Sequence, residues 1–579
     1  MIVDRLVRAL DDRLRAAPLA RRALAKIFPD HWSFMLGEIA LYSFVVLVLT
    51  GIYLTFFFEA STADRVYTGG YEPLDGSSTS AAYASAVRLS FDIRGGLLMR
   101  QTHHWASLIF VGAIVLHLMR IFFTGAFRRP REINWLIGVT MLALALLNGF
   151  TGYSLPDDLL SGTGLRIIYS VVESIPLVGA WLAFLAFGGE FPADDTVPRM
   201  YVSHVFLVPA VLTALIAAHL AILIRQKHSQ FPGPGRTENN VVGSRFWPSY
   251  TVRTLALFAW VLAVLFALGG LAQINPVWLY GPFAPAQITS PAQPDWYVAW
   301  GDGALRLFPA VEFRVFGYLV PSPFFPGVVL GGLTFAGLYL WPFLERWRGA
   351  GRVAHQLLDP PREHPVRIGV GVAALVFYTV LLVAAVDDII AKILQVSLLD
   401  VLSVMRVLVL ALPVPAGLVA FVIARALRGS GGRGVGELTR QDLVAGARRR
   451  SVGPAASGRD AGSAREEPAE DTGRETAEPG TAGGRVELWQ ERDGTWRWRY
   501  PVAGNPLISN LAYLSRPEAE EAAAIAYGRL PTVTAEPPGG TVQAAASATR
   551  RVGRRARMVV GWLALLAIAI WRWLRQRPH

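Results

Sequence analysis

Eight stretches of this chain are long and apolar enough to cross a lipid bilayer, and no other feature constrains the fold as tightly. A helix needs about 20 apolar residues to span the hydrocarbon core. The stretches lie near 36–58, 103–124, 133–155, 204–225, 252–272, 325–344, 367–386 and 402–424. Composition agrees: hydrophobic residues make up 53% of the 579, charged residues 17%, and the mean hydropathy is +0.38. Soluble domains carry about 25% charged residues. The expected fold is therefore an all-α polytopic membrane protein.

Basic residues set the expected orientation, because loops rich in Lys and Arg stay on the cytoplasmic side. The N-terminal segment carries Arg5, Arg8, Arg13, Arg15, Arg21, Arg22 and Lys26. Further basic clusters follow the second stretch (Arg128, Arg129, Arg131), the fourth (Arg225, Lys227, Arg236, Arg245) and the sixth (Arg346, Arg348, Arg352, Arg362, Arg367). The alternate connections carry acids, among them Asp64, Asp157, Asp158, Asp194 and Asp387. This places the N-terminus in the cytoplasm of a multi-pass protein of the cell membrane. It also accounts for the net charge of +12 through topology, with no nucleic-acid partner expected. Residues 1–35 are Arg-rich with periodic leucines, as expected of an amphipathic helix on the lipid surface, and lack the apolar core of a secretory signal.

The chain has no cysteine, which excludes disulfides, thiolate metal sites and cysteine-ligated clusters on it. Ten histidines remain, four of them at matched positions. His103 and His117 are 14 residues apart in the second stretch; His204 and His219 are 15 apart in the fourth. At ~100° and ~1.5 Å per residue each pair is roughly cofacial and ~21 Å apart along its helix. Both stretches run in the same direction, so His103 lies level with His204, and His117 with His219. Two bis-imidazole sites follow, holding a metal or a haem. A haem closed by two axial imidazoles moves electrons, and two stacked across the membrane form a wire. His104 points to another face and is expected to pack or hydrogen-bond.

Gly37 and Gly51 repeat the 14-residue interval in the first stretch, and Gly138 and Gly152 in the third. Missing side chains leave room for a flat macrocycle, although small residues also serve ordinary helix packing. Arg100 and Arg120 each lie three residues from a candidate ligand, where they either pair with haem propionates or snorkel to the interface.

These residues resemble the cytochrome b subunit of quinol–cytochrome c reductases, the cytochrome bc complexes, over about 28–425. The Arg-x-x-His start of the second stretch, the paired histidines, the glycine pairs and Pro294-Asp295-Trp296-Tyr297 carry the resemblance. Asp295 stands where the family more often has Glu. Asp295, GYSLPDDLLSGTGLR and QKHSQFPGPGRTENNVVG are similar to the actinobacterial, menaquinol-using branch. The resemblance implies a four-helix haem-binding bundle plus four further transmembrane helices. It also implies two haems b, an outer low-potential one on His103 and His204 and an inner high-potential one on His117 and His219. Gly37, Gly51, Arg100, Arg120, Gly138 and Gly152 would accommodate them.

What the resemblance implies about activity is more specific. Quinol is oxidised at the outer face, its protons leave outside, and quinone is reduced near the cytoplasmic face, so that protons are translocated. One electron passes to a Rieske iron–sulfur subunit; the other crosses the membrane through the haems. Asp295 is the leading proton acceptor, Tyr297 a hydrogen-bonding partner of the quinol, Pro294 and Trp296 its wall, and Asp302 a second acid two helical turns on. At the inner face His228 either delivers protons to quinone or is an interfacial histidine. Expected partners are the Rieske subunit, a di-haem cytochrome c subunit, a terminal oxidase in a supercomplex, a second copy of the complex, and lipid. Two other readings stay open: a di-haem quinone-reactive anchor of a dehydrogenase, which would not need the Pro-Asp-Trp-Tyr element, and a transporter or channel with histidines along a proton path.

The organisation expected is an amphipathic segment at 1–35, a di-haem domain at 36–230 and a second membrane domain at 231–427. The Gly-, Ala- and Arg-rich stretch 428–484 reads as a linker. At 485–530, alternation around Asp493-Gly494 followed by a helical stretch reads as a small soluble ββα-like unit. Residues 531–556 read as a second linker and 557–579 as a membrane anchor or ninth span.

Overall fold

The structure is a computed structural model that describes residues 24–286, 293–347 and 354–431, residue 13, and short stretches between 486 and 534. All eight expected spans are helices: α1 (Trp32–Thr55), α3 (Gly96–Phe123), α4 (Glu132–Tyr153), α7 (Thr196–Gln226), α8 (Phe246–Leu271), α10 (Phe324–Trp347), α11 (Pro365–Ala384) and α13 (Leu398–Arg428). Shorter helices fill the connections: α2 (Ala81–Phe91), α5 (Leu159–Glu173), α6 (Gly179–Phe187), α9 (Trp296–Leu307) and α12 (Asp387–Leu394).

Local chemistry fixes several ends. Gly95, at φ 73°, makes the left-handed turn into α3 that a side chain would resist. The Asp158 carboxylate accepts from the Leu160 and Ser161 amides, and Ser161 answers the Asp158 amide, a capping box that starts α5. Pro413 restarts the helix after a bend at Leu412 within α13. Large apolar side chains face outward along the spans: Leu271 is 88% and Leu410 80% exposed, which suits a lipid surround rather than water.

Helices α1 and α3 pack side by side, α4 packs on α7, and α8 packs on both α1 and α3. Within α1, α3, α4 and α7 the core is Ala40, Phe44, Phe110, Val111, Ala113, Leu142, Ala145, Val208 and Leu212, completed by Tyr297 of α9. Above and below this layer the same four helices open into two cavities.

Two expectations at the ends of the chain change. Residues 27–34, placed in an amphipathic helix, are instead extended and then 3-10: Ile27–Phe28 pairs with Ser244–Arg245, and Trp32–Phe34 is one short turn. Pro29 has no amide to donate, and the Lys26 carbonyl is taken by the Phe246 amide, so helix hydrogen bonds are unavailable. At the other end Val486–Gln490 and Trp496–Tyr500 form the expected hairpin strands, with Gln490 opposite Trp496. The sheet has four strands, however, because Leu507–Ile508 and Thr532–Thr534 join it, the last parallel to Val486–Leu488. The unit thus reaches into the stretch assigned as a linker at 531–556. The anchor or ninth span at 557–579 and most of the linker at 428–484 lie outside the described residues.

Candidate functional site

The first cavity, about 330 Å³, lies near the start of α3 and is lined by His103, His204, Gly51, Gly152, Arg100, Asp295 and Tyr297 among others. The second, about 480 Å³, lies near the end of α3 and is lined by His117, His219, Gly37, Gly138, Arg120 and His228 among others. Phe110 and Leu212 line both and form the partition. The four histidines therefore fall into the two level pairs that their spacing predicts, with the His103 and His204 ring centroids 6.1 Å apart.

A π-helical turn at Ser203–Leu207 carries His204. Such a turn takes up one residue more than an α turn. The 15-residue interval on α7 thereby gives the same facing as the 14-residue interval on α3, and the pairs stay level.

Each glycine of the two pairs stands against one imidazole. A Cβ built on Gly51 would lie 3.3 Å from His103 Cε1, and on Gly37 3.1 Å from His117 Cε1. On Gly152 it would lie 2.2 Å from His204 Cε1, a collision, and on Gly138 3.9 Å from His219 Cε1. The glycines are thus the space into which the histidines fit.

The donor set suits iron. Thr50 gives its hydroxyl proton to the Val46 carbonyl at 2.7 Å, so its oxygen accepts from His103 Nδ1–H at 2.9 Å. His204 Nδ1–H donates to the Asn148 carbonyl at 2.8 Å. Both rings are therefore held with the Nε2 lone pair free to ligate. Arg100 uses one nitrogen on the Asn275 carbonyl at 3.1 Å, while its Nε and other terminal nitrogen are buried without a partner. The Nε and one terminal nitrogen of Arg120 are likewise buried and unpaired, the guanidinium 4.2 Å from the Phe34 ring centroid. A buried guanidinium with open donors calls for a carboxylate, which haem carries on its propionates. Paired imidazoles, glycine clearance and waiting guanidiniums fit a haem in each cavity.

Asp295 begins α9 at the wall of the first cavity. His104 Nε2–H donates to its carboxylate, 2.8 and 3.0 Å from the two oxygens, and the Tyr297 hydroxyl donates at 2.9 Å. His104 is thus the hydrogen-bonding residue expected, but its partner lies 191 positions away and no local spacing pointed to it. Burial and the adjacent Asp295 push the Tyr297 phenol well up, so it stays a proton donor. Two further acids approach this cavity: burial raises the carboxyls of Asp157 and Asp158 to about 6, and Asp158 lines it.

The other expected quinol residues sit differently. Pro294 and Trp296 do not line the cavity; Trp296 leans on α3 beside Gly112. Asp302 is turned away, holding Arg306 at 2.8 Å, while Arg306 also bonds Asp387 at 2.6 Å. Burial still raises its carboxyl to about 6. His228 lines the second cavity, buried against Phe28 with ring centroids 4.5 Å apart. Its burial, and the charges of Lys26, Arg131 and Arg120, lower the imidazole to about 3.

Comparison with known proteins bears on this geometry. The family described as Cytochrome b(N-terminal)/b6/petB matches residues 108–282. The chain is 50% identical over 398 residues to the cytochrome bc1 complex cytochrome b subunit of Mycobacterium tuberculosis, covering 69% of this chain and 72% of that one. It is 47% identical to the subunit of the same name from Corynebacterium diphtheriae, over 73% of this chain and 78% of the relative. The corresponding Streptomyces coelicolor subunit is 46% identical, over 66% and 71%. A chain of a hyperthermophilic respiratory Complex III shares the fold, with a TM-score of 0.54 at 21% identity over 72% of this chain and 99% of that one.

Proposed function

The chain belongs to the cytochrome b subunits of the cytochrome bc1 complex, integral membrane proteins, and from that premise we propose that it carries two b haems and serves quinol oxidation at one membrane face and quinone reduction at the other. The observation that carries the reading is the set of four glycine–imidazole contacts, two in each cavity, with a buried arginine that keeps two nitrogens unpaired beside each. His103 and His204 would hold one haem and His117 and His219 the other, with Arg100 and Arg120 on their propionates. When bound, the haems supply two one-electron carriers stacked across the hydrocarbon.

The protein's own residues handle the protons. The first cavity takes the quinol, on the outer side by the distribution of basic loops. The Asp295 carboxylate accepts a proton from the quinol hydroxyl, acting as general base. The His104 and Tyr297 hydrogen bonds fix its orientation, so that the carboxylate meets substrate in one pose. Asp158, which lines the same cavity at the start of α5, would pass the proton outward. His228, neutral, offers a hydrogen bond to a quinone carbonyl in the second cavity. A Rieske subunit and a cytochrome c subunit, which the family resemblance implies, would take the other electron; without cysteine this chain could not hold a cysteine-ligated cluster itself.

Asp295→Asn in the purified complex tests the reading. It removes the base while keeping the size, so quinol oxidation falls by about 10²-fold or more with both b-type absorbance bands intact. Unchanged turnover would turn the reading towards a di-haem anchor that passes electrons without this site.

A further inference from the structure

The second cavity contains an acid to which the preceding mechanism gives no task. Glu38 follows Gly37 on α1, and its carboxylate accepts from the Tyr250 hydroxyl and from the Thr254 hydroxyl of α8. Tyr42, one turn along α1, joins the same group through Thr254. Glu38, Tyr42, Tyr250 and Thr254 all line the cavity, and among the described residues that line it Glu38 is the sole carboxyl. An ionisable side chain on a membrane span is costly, and it is kept where it faces a cavity and does work there.

The rest of the lining explains why an acid is needed. His228 packs on Phe28, and Phe28 stacks with centroids 4.2 Å apart on Tyr250, whose hydroxyl donates to Glu38. Burial and the nearby cations keep His228 neutral at working pH, so it has no proton to give up. Arg120 and Arg131, the other charged groups lining the cavity, are guanidiniums that do not release protons. Reduction of a quinone to its quinol takes up two.

We propose that Glu38 is the acid that delivers protons to a quinone bound in the second cavity, a role resting on the reading of that cavity as the quinone-reducing site. As electrons reach the quinone from a b-type haem, the carboxyl O–H bond of Glu38 breaks and an O–H bond forms on a quinone oxygen. The carboxylate left behind is held by the Tyr250 and Thr254 hydroxyls and takes a new proton from water on the cytoplasmic side. Two such transfers, with two electrons, complete the quinol.

The test uses the assembled complex carrying Asp295→Asn, which closes the first site, so that added quinol reduces the b haems only through the second cavity. With Glu38 present the haem bands reduce. With Glu38→Gln reduction slows by about 10²-fold while both haems remain bound, and Glu38→Asp restores most of the rate. An infrared redox difference spectrum supplies a readout independent of turnover. A carboxyl band is absent in Glu38→Gln and shifted in Tyr250→Phe, and the latter decides the matter if the glutamine variant does not fold. Reduction in Glu38→Gln within about twofold of its parent, with unchanged carboxyl bands, overturns the proposal. Failure of the parent with Glu38 intact to reduce at all overturns instead the reading of the cavity.

Discussion

Among single residues, His104 bears most directly on the proposed quinol site. It donates to both oxygens of Asp295 and so fixes the face that the carboxylate turns to the cavity. A hydrogen bond to a charged group contributes about 1.5–3 kcal/mol, which corresponds to about 10–100-fold in rate. His104→Ala should therefore lower kcat by that factor with little change in KM, and His104→Gln, which keeps a donor, should recover part of it. Steady-state kinetics of the two variants checks this. A purely structural histidine would instead lose haem absorbance and gain nothing from glutamine. The sequence could place His104 beside a ligand, but its partner is on a helix 191 residues away, and no periodicity links the two. Asp302 illustrates the converse. Two turns of helix separate it from Asp295, yet α9 presents it to Arg306, which also bonds Asp387, rather than to the cavity. Spacing gives a face only relative to other residues of the same helix, not relative to the rest of the protein.

For the helices as elements, the haem-binding half was legible because its signals are periodic. The 14-residue intervals of α1, α3 and α4 survive intact in the structure, each glycine meeting one imidazole. The 15-residue interval of α7 was readable as a number but not as a shape, since the π turn at Ser203–Leu207 that reconciles it has no sequence signature. The four contacts are graded, and the gradient is testable. A Cβ on Gly152 would overlap His204 at 2.2 Å, whereas one on Gly138 would meet His219 at an ordinary 3.9 Å. Gly152→Ala should therefore cost the outer haem and Gly138→Ala should keep the inner one, read as the haem-to-polypeptide ratio of each purified variant. Equal retention in both would mean that the glycines serve helix packing alone. The C-terminal unit was half legible for a similar reason. Its hairpin is local, while the parallel pairing of Thr532–Thr534 with Val486–Leu488 joins segments 46 residues apart.

At the scale of the whole molecule, eight apolar helices among the described residues place the chain in a membrane, and four of them enclose two cavities separated by Phe110 and Leu212. Each cavity would be one haem site, with acids where protons must be taken up or released: Asp295 at one end and Glu38 at the other. A redox titration of the b-type absorbance, run on the intact complex and on its His103→Ala and His117→Ala variants, tests this most directly. Two components are expected in the unaltered complex, one of them lost in His103→Ala and the other in His117→Ala. A single component in the unaltered complex, or loss of the same component in both variants, would contradict the account.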